Sequence, residues 1–292
     1  MSKHYQPQRL AMVTAVLSLL LIACLAASVL VGSSDLGLNE VIRALAGKGE
    51  GTATARVIVW QLRLPRALLA AAVGAALSLG GLVFQARLRN PLAEPYILGI
   101  SGGAAVGAIL GMFAGLAMFP GVSLSSFAGG LAVMAMVLFL SRGRGTGRSD
   151  SLLLAGVMLN AFCSACIMFL ISLSTSSQAH QILFWLMGDL SMADAAGLWL
   201  YVPLTACFLV IYFLARPMNL LLTGEESAAA LGLHIRRVTW YLLGTTTLMV
   251  SLVVSKAGLV GFVGLVVPHF FRLLYGPDHR LLVPACILGG GA

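Results

Sequence analysis

Long unbroken apolar runs, rather than strand-like alternation or a one-sided stripe, set the pattern of this chain. A helix crossing the hydrocarbon core of a bilayer needs about 20 mostly apolar residues. The runs Leu10–Gly32, Leu68–Phe84, Tyr96–Phe119, Ser123–Leu140, Leu152–Leu173, Leu198–Leu214 and Val238–Val254 are each near that length. Two more are irregular: Gly258–Leu274, interrupted by Pro268, and Leu281 to the last residue. No remaining stretch could hold a soluble domain, so residues 1–292 are expected to form one membrane domain, an all-α polytopic transmembrane bundle.

Composition sharpens this. Hydrophobic residues make up 59% of the chain, charged residues 10%, and mean hydropathy is +0.97; a soluble domain carries about 25% charged residues. That excludes an ordinary cytosolic enzyme, a disordered chain and a disulfide scaffold. The basic residues form no stripe, so no nucleic-acid partner is expected despite a pI near 9.7. The excess of base instead follows the positive-inside rule. With the N-terminus in the cytoplasm and the segments threaded alternately, twelve of the 18 basic residues fall inside. Arg43, Lys48, Arg56, Arg63, Arg66 and Lys256 fall outside. Arg63 and Arg66 stand out there, against the bias, at the mouth of a helix.

Several short patterns are of a kind that can carry chemistry. Leu21-Ile22-Ala23-Cys24 is similar to a lipoprotein cleavage box, but the apolar run continues to Val31, as a first transmembrane helix would. Cys163 and Cys166 form a C-x-x-C inside an apolar run without metal-ligand neighbours, and read as small packing residues. Gly99, Gly103, Gly107, Gly111 and Gly115 recur every fourth residue, giving one helix face smooth enough for close approach of another helix. Gly99-Ile100-Ser101-Gly102 matches the G-x-S-G of rhomboid-type intramembrane proteases, with His269 as the one partner in a later segment; packing explains the same residues. Asn90-Pro91-Leu92-Ala93-Glu94-Pro95 is a rigid turn on the cytoplasmic side. Thr223 and Glu226 have capping-box spacing, Ser227–Leu231 is helix-prone and Gly232 is a natural stop. The loop after Leu214 therefore holds a helix too short to be stable alone; it needs its own bundle or a partner subunit. No P-loop is present, since Lys48 precedes Gly and Lys256 precedes Ala. Any ATPase must be another chain, and this one is expected to be a transport subunit rather than an enzyme. No mid-membrane ionisable residue of the kind an ion-coupled carrier uses is evident.

Taken together, Arg63-Leu64-Pro65-Arg66, Val73–Leu77, Gln85, Arg89–Pro95, Leu152–Gly156, Trp185–Gly188, Gly224–Ala228 with Leu231-Gly232, Gly261–His269, Arg272 and Asp278-His279-Arg280 resemble one family. It is that of the permease subunits of iron-siderophore, haem and cobalamin ABC importers. The resemblance runs from about residue 57 to the end and is especially close to the cobalamin permease over Arg63–Gly102. It implies a ten-helix permease fold, of which this sequence would stop in the ninth helix, and a homodimer in the bacterial inner membrane. It also implies two cytoplasmic ATPase subunits and a periplasmic binding protein that delivers the ligand. In this chain Arg63 and Arg66 would meet the binding protein. Gly224, Glu225, Glu226, Ser227, Ala228, Leu231 and Gly232 would couple to the ATPase. Asn90, Leu92, Ser149 and Asp150 would form the cytoplasmic gate, although Asp150 replaces the small hydroxyl expected there. No cofactor or protein metal site is expected; ATP and magnesium would sit on the ATPase, and any metal would belong to the cargo. An ATP-independent secondary carrier is the alternative from another class, with the Ser101/His269 protease a third.

Overall fold

The computed structural model describes residues 7–32, 36–45, 53–141, 148–191 and 200–292. The described residues form a bundle of helices: α1 (Pro7–Leu30), α2 (Leu38–Leu45), α3 (Ala53–Val57), α4 (Leu64–Leu88), α5 (Ile100–Phe113), α6 (Ser123–Leu140), α7 (Arg148–Leu173), α8 (Ser176–Met187), α9 (Tyr201–Phe213), α10 (Ala215–Leu222), α11 (Glu225–Ala230), α12 (Ile235–Ala257), α13 (Val263–Tyr275) and α14 (His279–Gly290). In lipid every backbone polar group must be satisfied internally, which is why apolar runs this long fold as helices. Five stretches are long and apolar enough to cross a membrane, and a sixth if α9 and α10, bent by 48°, count as one.

The expected segments reappear with altered ends. The second begins earlier than its apolar core: α3, a π-helical stretch Ile58–Arg63 and α4 run on as one helix of 35 residues from Thr54 to Leu88. The third is shorter than expected. Tyr96–Gly99 are turns that follow Pro95, and α5 has only 14 residues. The run before Leu214 is described from Leu200 onward, the rest lying outside the described residues. Pro268 is accommodated inside α13.

The core lies around α4, which is buried along most of its length and packs on α12, α13 and α14. Glycine makes two of these crossings possible. A β-carbon on Gly81 would collide with the carbonyl of Gly264 in α13, and one on Gly74 with that of Gly290 in α14. Backbone thus meets backbone, as helices without a hydrophobic drive between them require. α1 and α7, by contrast, expose most of their apolar side chains.

Candidate functional site

The residues with expected roles gather at the two ends of α4. At one end, Arg89 closes the helix in a left-handed conformation (φ 50°) and donates from Nε to the carbonyl of Leu221 in the last turn of α10, at 3.2 Å. Two residues earlier, the buried Arg87 donates from Nη1 to Oε1 of Glu225, the first residue of α11, at 3.0 Å. Their side chains are 2% and 35% exposed. Two arginines of α4 therefore hold both sides of the turn at Thr223 and Gly224.

That turn differs from the capping box expected of Thr223 and Glu226. The Thr223 hydroxyl donates backwards to the carbonyl of Leu220 at 2.8 Å, finishing α10. Gly224 is the N-cap of α11, with φ 116°, and no side chain caps the helix. A backbone angle in that region suits glycine, and Thr223 itself has helical angles (φ −76°, ψ −8°) rather than the extended ones an N-cap residue requires. The other end of α11 follows the sequence. Gly232 has φ 84°, its N–H reaches the Ala229 carbonyl, and the Leu233 N–H reaches that of Ala228. Those two bonds form a Schellman stop. Ala228 is fully buried against the bundle, while Glu226, Ser227 and Leu231 are exposed, Leu231 at 66%. Arg216 of α10 and Arg236 and Arg237 of α12, the helices before and after α11, are also exposed.

Next to it, Asn219 of α10 knots the start of α14. Its Nδ2 donates to Asp278 Oδ1 at 2.7 Å, and its Oδ1 accepts from the His279 backbone N–H at 2.8 Å. Arg280 pairs with Asp278 at 2.7 Å. Burial works to raise the Asp278 pKa, but hydrogen bonds from Arg280 and Asn219 hold it down at about 2. Asp278-His279-Arg280 was legible as a motif; its partner Asn219 lies some sixty residues earlier and no local pattern marks it.

At the opposite end of α4 the two expected docking arginines part company. Arg66 is exposed. Arg63 is half-buried and turns to α1, donating from Nη1 to the carbonyls of Val29 at 2.9 Å and Leu30 at 3.2 Å. These are terminal helix carbonyls without intrahelical partners, at the negative end of the α1 dipole. Close by, the backbone N–H of Asp189 donates to the Ala257 carbonyl at 2.8 Å, tying the end of α8 to the end of α12. Ser191 donates to the Asp189 carboxylate from its hydroxyl and its N–H, and holds it below the usual range; the charge of Arg66 acts the same way. Between α8, the α12 terminus and the start of α6 lies a cleft of about 450 Å³, lined by Phe119, His180, Phe184, Trp185, Asp189 and Lys256 among others. The Lys256 ammonium sits 3.3 Å from the Phe119 ring centre. Sequence reasoning did not find this cleft, because its walls come from three separated segments.

The remaining expected residues fall as follows. Asn90 Oδ1 accepts from the Leu92 N–H at 2.9 Å, an Asx turn that leaves Leu92 64% exposed directly after the α4 end. Ser149 and Asp150 lie in the first turn of α7, and their side chains lie outside the described residues. Gly103, Gly107 and Gly111 face α6, where an added β-carbon would strike Gly129, Val133 or Ser125. Gly99 caps the start of α5 in a left-handed conformation beside Val133 and α7. Gly115 departs from the stripe: α5 ends at Phe113, so this glycine (φ 69°) closes a Schellman turn and has nothing within 4 Å of an added β-carbon. Ser101 is 1% exposed, whereas His269 is exposed on α13, and no hydrogen bond joins them among the described residues. That arrangement lacks the nucleophile–base contact a protease needs.

The model of the FecCD transport family matches residues 19–292. The chain belongs to that family. Among curated proteins, this FecCD member is similar to the vitamin B12 import system permease protein BtuC of Klebsiella pneumoniae, 39% identical over 279 residues, covering 94% of this chain and 81% of that one. It is 43% identical over 239 residues to the same-named protein of Escherichia coli, covering 81% and 72%. Among solved structures, a metal-chelate type ABC transporter in an inward-facing conformation superposes with a TM-score of 0.85 at 30% identity, covering 96% of this chain and 87% of that one. The FecCD chain is thus a membrane permease of the ABC-importer type, with the all-α permease fold.

Proposed function

We propose that this FecCD permease is the single membrane domain of an importer for cobalamin or a related metal chelate. It works as a homodimer in the bacterial inner membrane with its N-terminus in the cytoplasm. Two ATPase subunits drive it from the cytoplasm and a periplasmic binding protein feeds it. The observation that carries the reading is α11. A six-residue helix is not stable alone, and this one buries Ala228 inward while presenting Leu231, Ser227 and Glu226 outward. That exposed face is the part offered to an ATPase. Arg216, Arg236 and Arg237 on the helices before and after it favour a cytoplasmic setting. Arg66, at the other end of α4, is the charge offered to carboxylates of a binding protein, with Arg63 beside it holding α1. The exposed apolar face of α7, from Leu154 to Phe169, is the surface offered to the second copy and the pathway.

ATP hydrolysis then belongs to the partner chains, and this subunit performs no covalent chemistry. It alternates access as α11 is moved. The test is co-purification with the cognate ATPase in mild detergent, followed by uptake of radiolabelled cyanocobalamin into proteoliposomes. A complex with two copies of each chain and ATP-dependent uptake supports the reading. Uptake without any ATPase would replace it with a secondary carrier; uptake of a ferric siderophore instead of cyanocobalamin would move the substrate within the chelate class.

A further inference from the structure

Arg87 is a full charge, almost wholly removed from water, in a helix whose other buried residues are uncharged. Burying a charge costs several kcal/mol unless a partner compensates it. Its partner Glu225 is not on a neighbouring membrane helix but is the first residue of α11. Arg89, one turn-half further, fastens the end of α10. The segment between these two anchor points, Leu221 to Glu225, contains the left-handed hinge Gly224. α11 therefore cannot tilt about Gly224 without either carrying the end of α4 with it or breaking an ion pair to a buried guanidinium.

α4 is suited to transmit what it receives. From Arg87 back to Arg66 it spans 22 residues, roughly 30 Å at helical rise, about the thickness of the hydrocarbon core. It is continuous over that distance and packed on three other membrane helices. The turn that follows Arg89 carries Asn90 and the exposed Leu92, so a displacement of this end also moves the expected gate.

We infer that Arg87 is a positioning residue that locks α11 to α4, so that the ion pair Arg87–Glu225 converts movement of the α11 loop into movement of the helix that carries Arg66 in the first turn of α4. This rests on the reading that an ATPase engages α11.

The variant of choice is Arg87→Gln, with Arg87→Lys as the conservative rescue. Removing Arg87 leaves Glu225 able to reach water, whereas removing Glu225 would break the pair on its buried side, since the two side chains are 2% and 35% exposed. The first readout needs no partner: amide exchange of the permease alone in detergent. In Arg87→Gln the α11 amides should exchange about tenfold faster while the α12 interior is unchanged, and Arg87→Lys should restore most of the protection. The second uses the permease–ATPase complex with spin labels at Met187→Cys of both copies, at the far end, and compares ATP plus vanadate with no nucleotide. The wild type should show a nucleotide-dependent distance change. Arg87→Gln should assemble and hydrolyse ATP but lose that change, and Arg87→Lys should recover it. Unaltered α11 exchange, or a full distance change in Arg87→Gln, overturns the inference. So does loss of assembly or hydrolysis in Arg87→Gln, which would make the pair a structural brace. A wild-type chain that captures no ATPase would overturn the proposed function, and the exchange result would then identify the pair as a local clasp only.

Discussion

Replacing Arg63 by alanine separates two arginines to which the sequence assigns a single docking role. The Arg63 guanidinium donates to two terminal carbonyls of α1, at 2.9 and 3.2 Å. A hydrogen bond involving a charged group contributes about 1.5–3 kcal/mol when well protected. Arg63 is half-buried, and water can replace part of what is lost, so about 2 kcal/mol is expected for the two bonds together. That corresponds to a roughly 30-fold increase in local opening. The assay is hydrogen exchange of the amides in the last turn of α1, which should accelerate by about that factor in Arg63→Ala and stay unchanged in Arg66→Ala. Affinity for the binding protein should show the opposite order. Arg66→Ala should weaken it by about tenfold and flatten its salt dependence, as removal of an exposed steering charge does, with Arg63→Ala acting less. If Arg63→Ala leaves α1 exchange untouched and weakens docking more than Arg66→Ala does, the assignment from these distances is refuted.

Other outcomes follow from the same geometry. Gly81→Leu should prevent stable folding, because any β-carbon there strikes the Gly264 backbone, whereas Gly244→Leu, with open space around it, should shift the melting temperature little; equal effects in a thermal-stability assay would refute the crossing. Leu231→Asp should reduce capture of the ATPase by about tenfold or more in a pull-down while leaving the permease itself equally stable, since the side chain is 66% exposed. The Asp278 carboxyl is held at about 2, below its ordinary value of 3.8. Its contribution is therefore complete above about pH 4 and is lost as pH falls towards 2, where the unfolded state takes up the proton first. Protection of the first α14 amides should be flat between about pH 5 and 8, and a fall near pH 6 would assign it to another group.

The elements were legible where one physical requirement dominated. A run of apolar residues long enough to cross lipid has no alternative to a helix, so α1, α6, α7 and α12 follow the pattern of the sequence closely. Gly232 was legible as a helix stop for a similar reason, because a left-handed residue there favours glycine. Thr223 and Gly115 show the limit. Both fit a local spacing rule, yet the boundary of the neighbouring helix decides what each does, and that boundary is set by tertiary packing. Arg63 shows it differently. Its charge and its outward position were readable, but its partners are carbonyls of α1, more than thirty residues away. Arg87 pairs with Glu225 across α4 and α11, nearly 140 residues apart in the chain, and no local pattern marks that partner.

The way α4 is packed bears on how it could move. A helix that must carry displacement across a membrane has to stay rigid along its axis yet slide against its neighbours. Large interdigitated side chains resist sliding, because each must leave one groove before entering the next. At the Gly81–Gly264 and Gly74–Gly290 crossings glycine faces glycine and backbone lies directly on backbone, with only the small Ser78 side chain of α4 against Gly290. Small shear displacements there break few contacts. The ends are different: Arg87 and Arg89 bind α4 to the α11 loop, and Arg63 binds the same helix to the end of α1. Smooth crossings in the middle with polar clasps at both ends are what a transmitting rod needs. Filling a crossing should therefore stop the movement even where folding survives. Gly264→Ala, whose β-carbon would lie 2.9 Å from the Leu77 carbonyl and so needs only a small displacement of α13, should keep α11 clasped and ATP hydrolysis running while abolishing the distance change at the far end; an unaltered distance change would refute the sliding argument.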